Sequence, residues 1–180
     1  MTVAPGTDPA IRPVTPADAA GCLAIYGPLV KETPVSFEAD TPTETEFAGR
    51  IESAVRDHAW FVYDTGAGID GYAYAVRHRV RAAYRWSVEV SVFVAPGHHR
   101  RGIARALYTR LLDDLRNRGF FNALAVIALP NPASVAFHES MGFKPVGDYP
   151  KAGFKLGRWH DVGWWALRLR DGTPQPGPED

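Results

Sequence analysis

The chain has 180 residues, 46% of them hydrophobic and 22% charged, the size and make-up of one globular domain with a substantial core. Twenty Lys and Arg balance twenty Asp and Glu, so net charge lends no support to nucleic-acid binding, and no stretch approaches the length of a membrane span. Cys22 is the lone cysteine, which removes an internal disulfide and a cysteine metal site, and the N-terminal MTVAPGTDPA lacks the pattern of a secretory signal; a cytoplasmic protein without a metal is expected.

Residues 1–9 read as a loose leader, and residues 11–14 as a short strand. Thr15-Pro16-Ala17-Asp18 starts a helix, with Thr15 as cap, Pro16 in first position and an acid in the first turn. Its apolar residues are Leu23, Ile25 and Tyr26. Residues 27–42 form a long connection carrying TPVSFE (33–38), and long connections in compact domains are often functional. A second helix is expected over 43–58, with Phe47, Ile51 and Val55 four apart and a Thr43/Glu46 capping box. Strands follow at 60–63 and 71–76, separated by a glycine-rich turn, and a basic stretch runs from 78 to 85.

The chain is organised around WSVEVSVFVAPGHHRRGIARAL (86–107). Residues 86–94 are β-branched and aromatic, hence a strand. Residues 95–101 are a turn with Pro96, Gly97, two histidines and two arginines, and from Gly102 the spacing of Ile103, Leu107, Leu111, Leu112 and Leu115 is helical. A helix start presents unpaired N–H groups and partial positive charge, so this junction is a candidate anion site for a phosphate. The P-loop and dinucleotide glycine patterns are both absent. Beyond this helix, Asn117-Arg118-Gly119 supplies a stop. Residues 121–129 read as a buried strand, Asn131-Pro132 as the cap and first position of another helix ended by Gly142, and 143–146 and 159–169 as further strands. Residues 171–180 form a polar tail. The order β, α, α, β, β, β, α, β, α, β, β predicts an α/β (α+β) domain over 10–170. Its mixed central sheet has six to seven strands, with helices on both faces. On the later helix Asn131, Ser134, Val135 and His138 share one face.

The segment His99-Arg100-Arg101-Gly102-Ile103-Ala104 resembles the acyl-CoA signature [QR]-x-x-G-x-[GA] of the GNAT acetyltransferases, with His99 where Gln or Arg is usual. LPNPASVAFHESMGFKPVG (129–147) and AGFKLGRWHDVGWW (152–165), with WSVEVSVFV and TPVSFE, resemble the phosphinothricin N-acetyltransferase branch of that family, and the resemblance runs from about Ile11 to Leu169. It implies a GNAT fold, acetyl-CoA as cosubstrate and a small amino-acid acceptor such as phosphinothricin, methionine sulfone or methionine sulfoximine. A cytoplasmic homodimer is expected, without nucleic-acid or membrane partners.

By the same resemblance the cosubstrate lies along Val92, Phe93 and Val94, on the turn His99, Arg100, Arg101, Gly102, Ile103 and Ala104, and against Asn131 and Ser134. Phe37, Arg79, Arg81 and Tyr84 match acceptor-binding positions. Glu89, the one acid in its strand, matches the proposed base, and His138 stands where many relatives carry a tyrosine that protonates the departing thiolate. An acetyltransferase for peptide N-termini and a CoA-binding module without turnover are the alternatives. Arg79 and Arg81 argue against the first, since a peptide offers no carboxylate beside its amine.

Overall fold

The computed structural model describes residues 9–174. The expected leader and tail fall outside this range except for Pro9 and residues 171–174. Seven strands form one sheet: β1 (Ala10–Pro13), β2 (Trp60–Asp64), β3 (Ile69–Arg77), β4 (Ser87–Val94), β5 (Asn122–Leu129), β6 (Lys144–Lys155) and β7 (Arg158–Arg168), in the spatial order β1-β2-β3-β4-β5-β7-β6. Four helices pack on it: α1 (Ala19–Glu32), α2 (Glu44–Asp57), α3 (Ile103–Asn117) and α4 (Pro132–Ser140). The sheet is antiparallel except for the β4–β5 pair, which is parallel. This is the expected order of elements and the expected mixed sheet.

Alternation along each strand builds two cores. On one face Ala73, Ala75, Val88 and Val90 pack under the α3 stripe Ile103, Leu107, Leu111, Leu112 and Leu115. On the other, Tyr72 and Trp60 meet Ile25 and Tyr26 of α1 and Phe47 and Ile51 of α2. The α2 stripe continues through buried Ala54, and Val55 is exposed instead. Repeated steps of four drift around a helix of 3.6 residues per turn, so a step of three returns to the core face. The Thr43/Glu46 box forms as expected: Glu46 N–H donates to Thr43 Oγ1 at 3.2 Å and Thr43 N–H to Glu46 Oε2 at 2.7 Å. Thr15 heads a single 3-10 turn, Pro16–Asp18, that runs directly into α1. There Arg12 bonds both Asp18 and Asp64 and holds the Asp18 carboxyl down at about 2.

The largest departure from expectation is β6, which extends to Lys155 rather than stopping near Val146. Gly147, Pro150 and Gly153 broke the strand pattern, yet the register shifts between Pro145/Gly147 and Tyr149/Gly153 absorb them as bulges. Lys151 takes a positive φ of 50° there, and its N–H donates to Asp161 Oδ1 at 2.8 Å. An edge strand tolerates proline because one side of it needs no ladder partner. The β6–β7 hairpin ties back to the long connection: Lys155 Nζ donates to the carbonyls of Val30 and Ser36. Tyr26 and Glu38 hold the same connection to α1 and, through Arg50, to α2.

Candidate active site

The site grows from a failure of pairing. β4 bonds β5 only from Ser87 to Glu89, opposite Asn122 to Leu124. From Val90 to Val94 it stays on β3 and leaves β5. The two parallel strands therefore splay toward their C-terminal ends, the usual place for a ligand at a crossover. The gap is a narrow slot of about 80 Å³ lined by Val90 to Phe93 on one side, Val126 to Ala128 on the other, and Asn131, Ser134 and His138 of the α4 region. Val35 of the long connection closes it from above. The β4 backbone facing the gap has lost its strand partner, so an extended arm carrying amide groups can pair with it as a short additional strand.

Beyond Val94 the slot opens into a cleft of about 620 Å³ at the start of α3. Gly102 caps α3 with φ 83°, in the left-handed region, where glycine is the favoured residue. The first bond of the helix runs from Ala106 N–H to the Gly102 carbonyl at 3.0 Å, so the preceding amides have no acceptor within the helix. Those amides, with the helix dipole and Arg100, fit a pyrophosphate. Val94, His99, Arg100, Gly102, Ile103 and Ala104 all line the cleft, whereas Arg101 is exposed and off its wall. His99 is turned back, its Nε2 bonding the Val94 carbonyl at 3.1 Å. His98 bonds Asp70 at 2.5 Å, and Arg105 is committed to Ser140 at 2.9 Å, so α3 and the turn are braced by neighbours.

At the other end of the slot lies a cavity of about 400 Å³ between the β3–β4 loop and the β6–β7 hairpin. Arg79 and Tyr84 line it as expected, together with His78, Leu124, Asp148, Tyr149 and Trp164. Arg79 lies 5.7 Å from the Trp164 ring centre. Arg81 is exposed at the start of a 3-10 turn and is not in this wall. Phe37 is not there either: its ring covers Gly153 and meets His160 at 6.1 Å. A Cβ at Gly153 would fall 2.3 Å from that ring, so the glycine is what admits it. The Nε1 of Trp164 is buried and has no hydrogen-bond partner among the described residues.

Glu89 stands where slot and cavity meet. It is the last β4 residue paired to β5, its register partner Leu124 lines the cavity, and its successors Val90 and Ser91 line the slot. Its Oε1 accepts a bond from His78 Nδ1 at 2.8 Å. His138 is buried, 5% exposed, and both its nitrogens are engaged. Nδ1 faces the Ser134 carbonyl at 2.8 Å, which can only accept, so Nδ1 carries the proton; Nε2 then accepts from Tyr108 Oη at 3.0 Å. Burial pushes the imidazole below its ordinary range. Asn131 caps α4 by accepting from Ser134 N–H at 3.1 Å, which fixes the helix face turned to the slot.

The residues that sequence reasoning passed over are Val35, His78, Asp148, Tyr149 and Trp164. Val35 and Trp164 sit inside the quoted TPVSFE and HDVGWW, and His78 opens the basic stretch, but only the folded sheet brings Val35 to the slot and His78 and Trp164 to the cavity wall.

A slot for an extended arm, an N–H-rich cleft for a diphosphate and an adjoining cavity for a small molecule together define a coenzyme-A-dependent acyltransferase in class. Comparison with known proteins makes this specific. Residues 11–164 match the model described as acetyltransferase (GNAT) domain. A phosphinothricin N-acetyltransferase of Streptomyces viridochromogenes is 38% identical over 86% of this chain and 85% of its own. The L-methionine sulfoximine/L-methionine sulfone acetyltransferase of Salmonella typhimurium is 32% identical over 88% of this chain and 94% of its own. The crystal structure of a GNAT superfamily phosphinothricin acetyltransferase from Sinorhizobium meliloti in complex with acetyl-CoA superposes with a TM-score of 0.89, at 32% identity over 95% of each chain. The chain belongs to the GNAT acetyltransferases, and acetyl-CoA is its acyl donor. Among the described residues no helix is long and apolar enough to cross a membrane.

Proposed function

We propose that this acetyltransferase acts in the cytoplasm on the amine of a small amino acid of the phosphinothricin, methionine sulfone or methionine sulfoximine type, by direct attack in a ternary complex. The observation that carries the reading is the meeting of slot and cavity beside Glu89, with the Arg79 guanidinium in the cavity wall. A planar guanidinium calls for an acceptor with oxygen atoms, carboxylate among them. The named relatives, which acetylate phosphinothricin or methionine sulfoximine and sulfone, agree with that chemistry.

Acetyl-CoA supplies an activated acetyl thioester. The chain's part is to hold the arm along Val90 to Val94, seat the diphosphate at Gly102 to Ala104, and remove a proton from the acceptor. An α-amino group with pKa about 7.7–8.0 is mostly ammonium at neutral pH, and the carboxylate of Glu89, with its His78 partner, provides the base. His138 forms the floor of the slot as a neutral ring, tuning the position of the thioester while Glu89 is essential. The exposed Phe154, Leu156 and Trp159 at the hairpin tip offer apolar surface for a second copy in a homodimer.

The test is to incubate the protein with acetyl-CoA and a panel of amino acids, including phosphinothricin, methionine sulfone and free-amine peptides, while following thiol release. Turnover with the oxygen-bearing amino acids is expected. Turnover confined to peptides, or none at all, would overturn the reading.

A further inference from the structure

Glu89 borders the proposed acceptor cavity without entering its wall. It lines neither the slot nor the cavity, whereas the imidazole bonded to it does line the cavity. His78 is tightly placed. Its Nδ1 lies 2.8 Å from Glu89 Oε1, and the edges of Tyr84 and Trp164 flank the ring at 5.6 and 5.7 Å between centres. Its side chain is 13% exposed and that of Glu89 is 28%. Nε2 has no bond among the described residues and is not a sealed atom. The remaining charged or titratable groups around the cavity are Arg79 and Tyr84 of the same loop and Asp148 and Tyr149 of β6. Nothing else on the cavity wall combines a free lone pair with a carboxylate behind it.

We propose that the general base is a His78–Glu89 pair in which His78 Nε2 takes the proton from the acceptor ammonium and Glu89 holds the imidazole. This rests on the amino-acid acetyltransferase reading and moves the proton-accepting atom from the Glu89 carboxylate to the imidazole it holds. A carboxylate accepting the Nδ1–H fixes the tautomer that leaves Nε2 bare, and it stabilises the imidazolium once the proton arrives. The acceptor R–NH3⁺ gives one proton to Nε2 and becomes R–NH2. Its nitrogen lone pair then forms the C–N bond to the thioester carbonyl carbon as the C–S bond breaks, and the electron pair of that bond leaves on sulfur. The second nitrogen proton ends on the thiolate, giving free CoA thiol and neutral amide. His78 returns its proton to water through the open cavity.

The closing experiment compares wild type with His78→Phe, which keeps a ring of similar breadth against Trp164, and His78→Asn, which keeps an N–H donor for Glu89. Both variants should lower kcat at pH 7 by about 10²- to 10³-fold, within the range of a lost general base. The acceptor KM and the acetyl-CoA Kd should stay within about 3-fold, and the loss should shrink as pH rises and free amine accumulates. A purely structural role would move KM or the melting temperature and leave the pH profile alone. Wild-type kcat in either variant would overturn the proposal and return the base to Glu89 alone. A second readout does not need turnover: nitrogen NMR of labelled histidine should show the neutral His78 ring protonated at Nδ1, and that preference should weaken in Glu89→Gln. The opposite tautomer in the wild type would refute the pair even if no acceptor is ever turned over. An inactive wild type with the expected tautomer would instead sink the substrate reading.

Discussion

Replacing Trp164 with phenylalanine removes one hydrogen-bond donor from behind the cavity wall and keeps most of the wall's aromatic surface. The indole Nε1 is buried without a partner among the described residues, in a wall shared with His78, Arg79 and Tyr149. That N–H is sealed in the free protein, so an anionic oxygen of the acceptor meets it only when the Trp164 wall shifts on binding; a bond to a charged group is then worth about 1.5–3 kcal/mol. At 1.4 kcal/mol per decade, Trp164→Phe should raise the acceptor KM by roughly 10- to 150-fold. In the free protein two effects oppose each other. Losing an unsatisfied donor relieves about 1–3 kcal/mol, and the smaller ring forfeits about 1–2 kcal/mol of apolar burial against Tyr149 and His78. The net change lies between about 1 kcal/mol of loss and about 2 kcal/mol of gain, so the melting temperature should fall by no more than about 4 °C. The assay is initial-rate thiol release with varied acceptor at saturating acetyl-CoA, beside a thermal melt. An unchanged KM would show that no acceptor oxygen reaches the indole. A KM rise accompanied by a large drop in melting temperature would mean that the ring is a structural prop.

Four further outcomes are expected. Glu89→Gln should cut kcat at pH 7 by about 10²- to 10³-fold and recover partly at higher pH, with acetyl-CoA Kd unchanged; near-parental turnover at pH 7 would remove Glu89 from the base. Arg79→Ala should raise the acceptor KM more than Arg81→Ala, because only Arg79 lines the cavity; the reverse order in a steady-state comparison would relocate the acceptor. Gly102→Ala has open space for its Cβ but a φ of 83°, a conformation that costs an L-residue about 1–2 kcal/mol, so a urea melt should show the fold less stable by about that amount; an unchanged melt would mean that the turn relaxes to another φ. Burial lowers the His138 pKa, so below about 6.5 the unfolded chain binds a proton that the folded chain refuses. That stability is whole above this pH and is lost as pH falls toward the folded value, with half-buried His58, lowered by its partial burial, adding to the trend. Urea melts at pH 7.5 and 5.5 should show a smaller difference in His138→Gln than in wild type; an equal difference would place the titration elsewhere.

Local rules reached far into this chain because they act between near neighbours. The α3 stripe, the Thr43/Glu46 box and the Asn131 cap depend on spacings of three and four residues, and all are present. The cleft at the start of α3 was legible for the same reason: turn, Gly102 and helix start are contiguous, so one stretch builds most of its wall. The resemblance also carried Arg79, Tyr84, Asn131 and Ser134 to walls they do occupy.

What lay beyond the sequence depends on pairing between distant segments. That β4 leaves β5 after Glu89 is decided by two strands 35 residues apart in register, Ser87 opposite Asn122. The long β6 was hidden because its prolines and glycines read as breaks until β7 supplied bulged partners across the hairpin. Phe37 went to Gly153 rather than to the acceptor because a glycine on β6 leaves room for a ring there, a vacancy visible only after the hairpin folds over the connection. Within residues 78–89 the sequence by itself determined which groups are available, an imidazole and a carboxylate eleven positions apart. Tertiary structure decided that they touch and that the imidazole is the one facing the cavity, because strand register sets the distances between side chains that no local spacing controls.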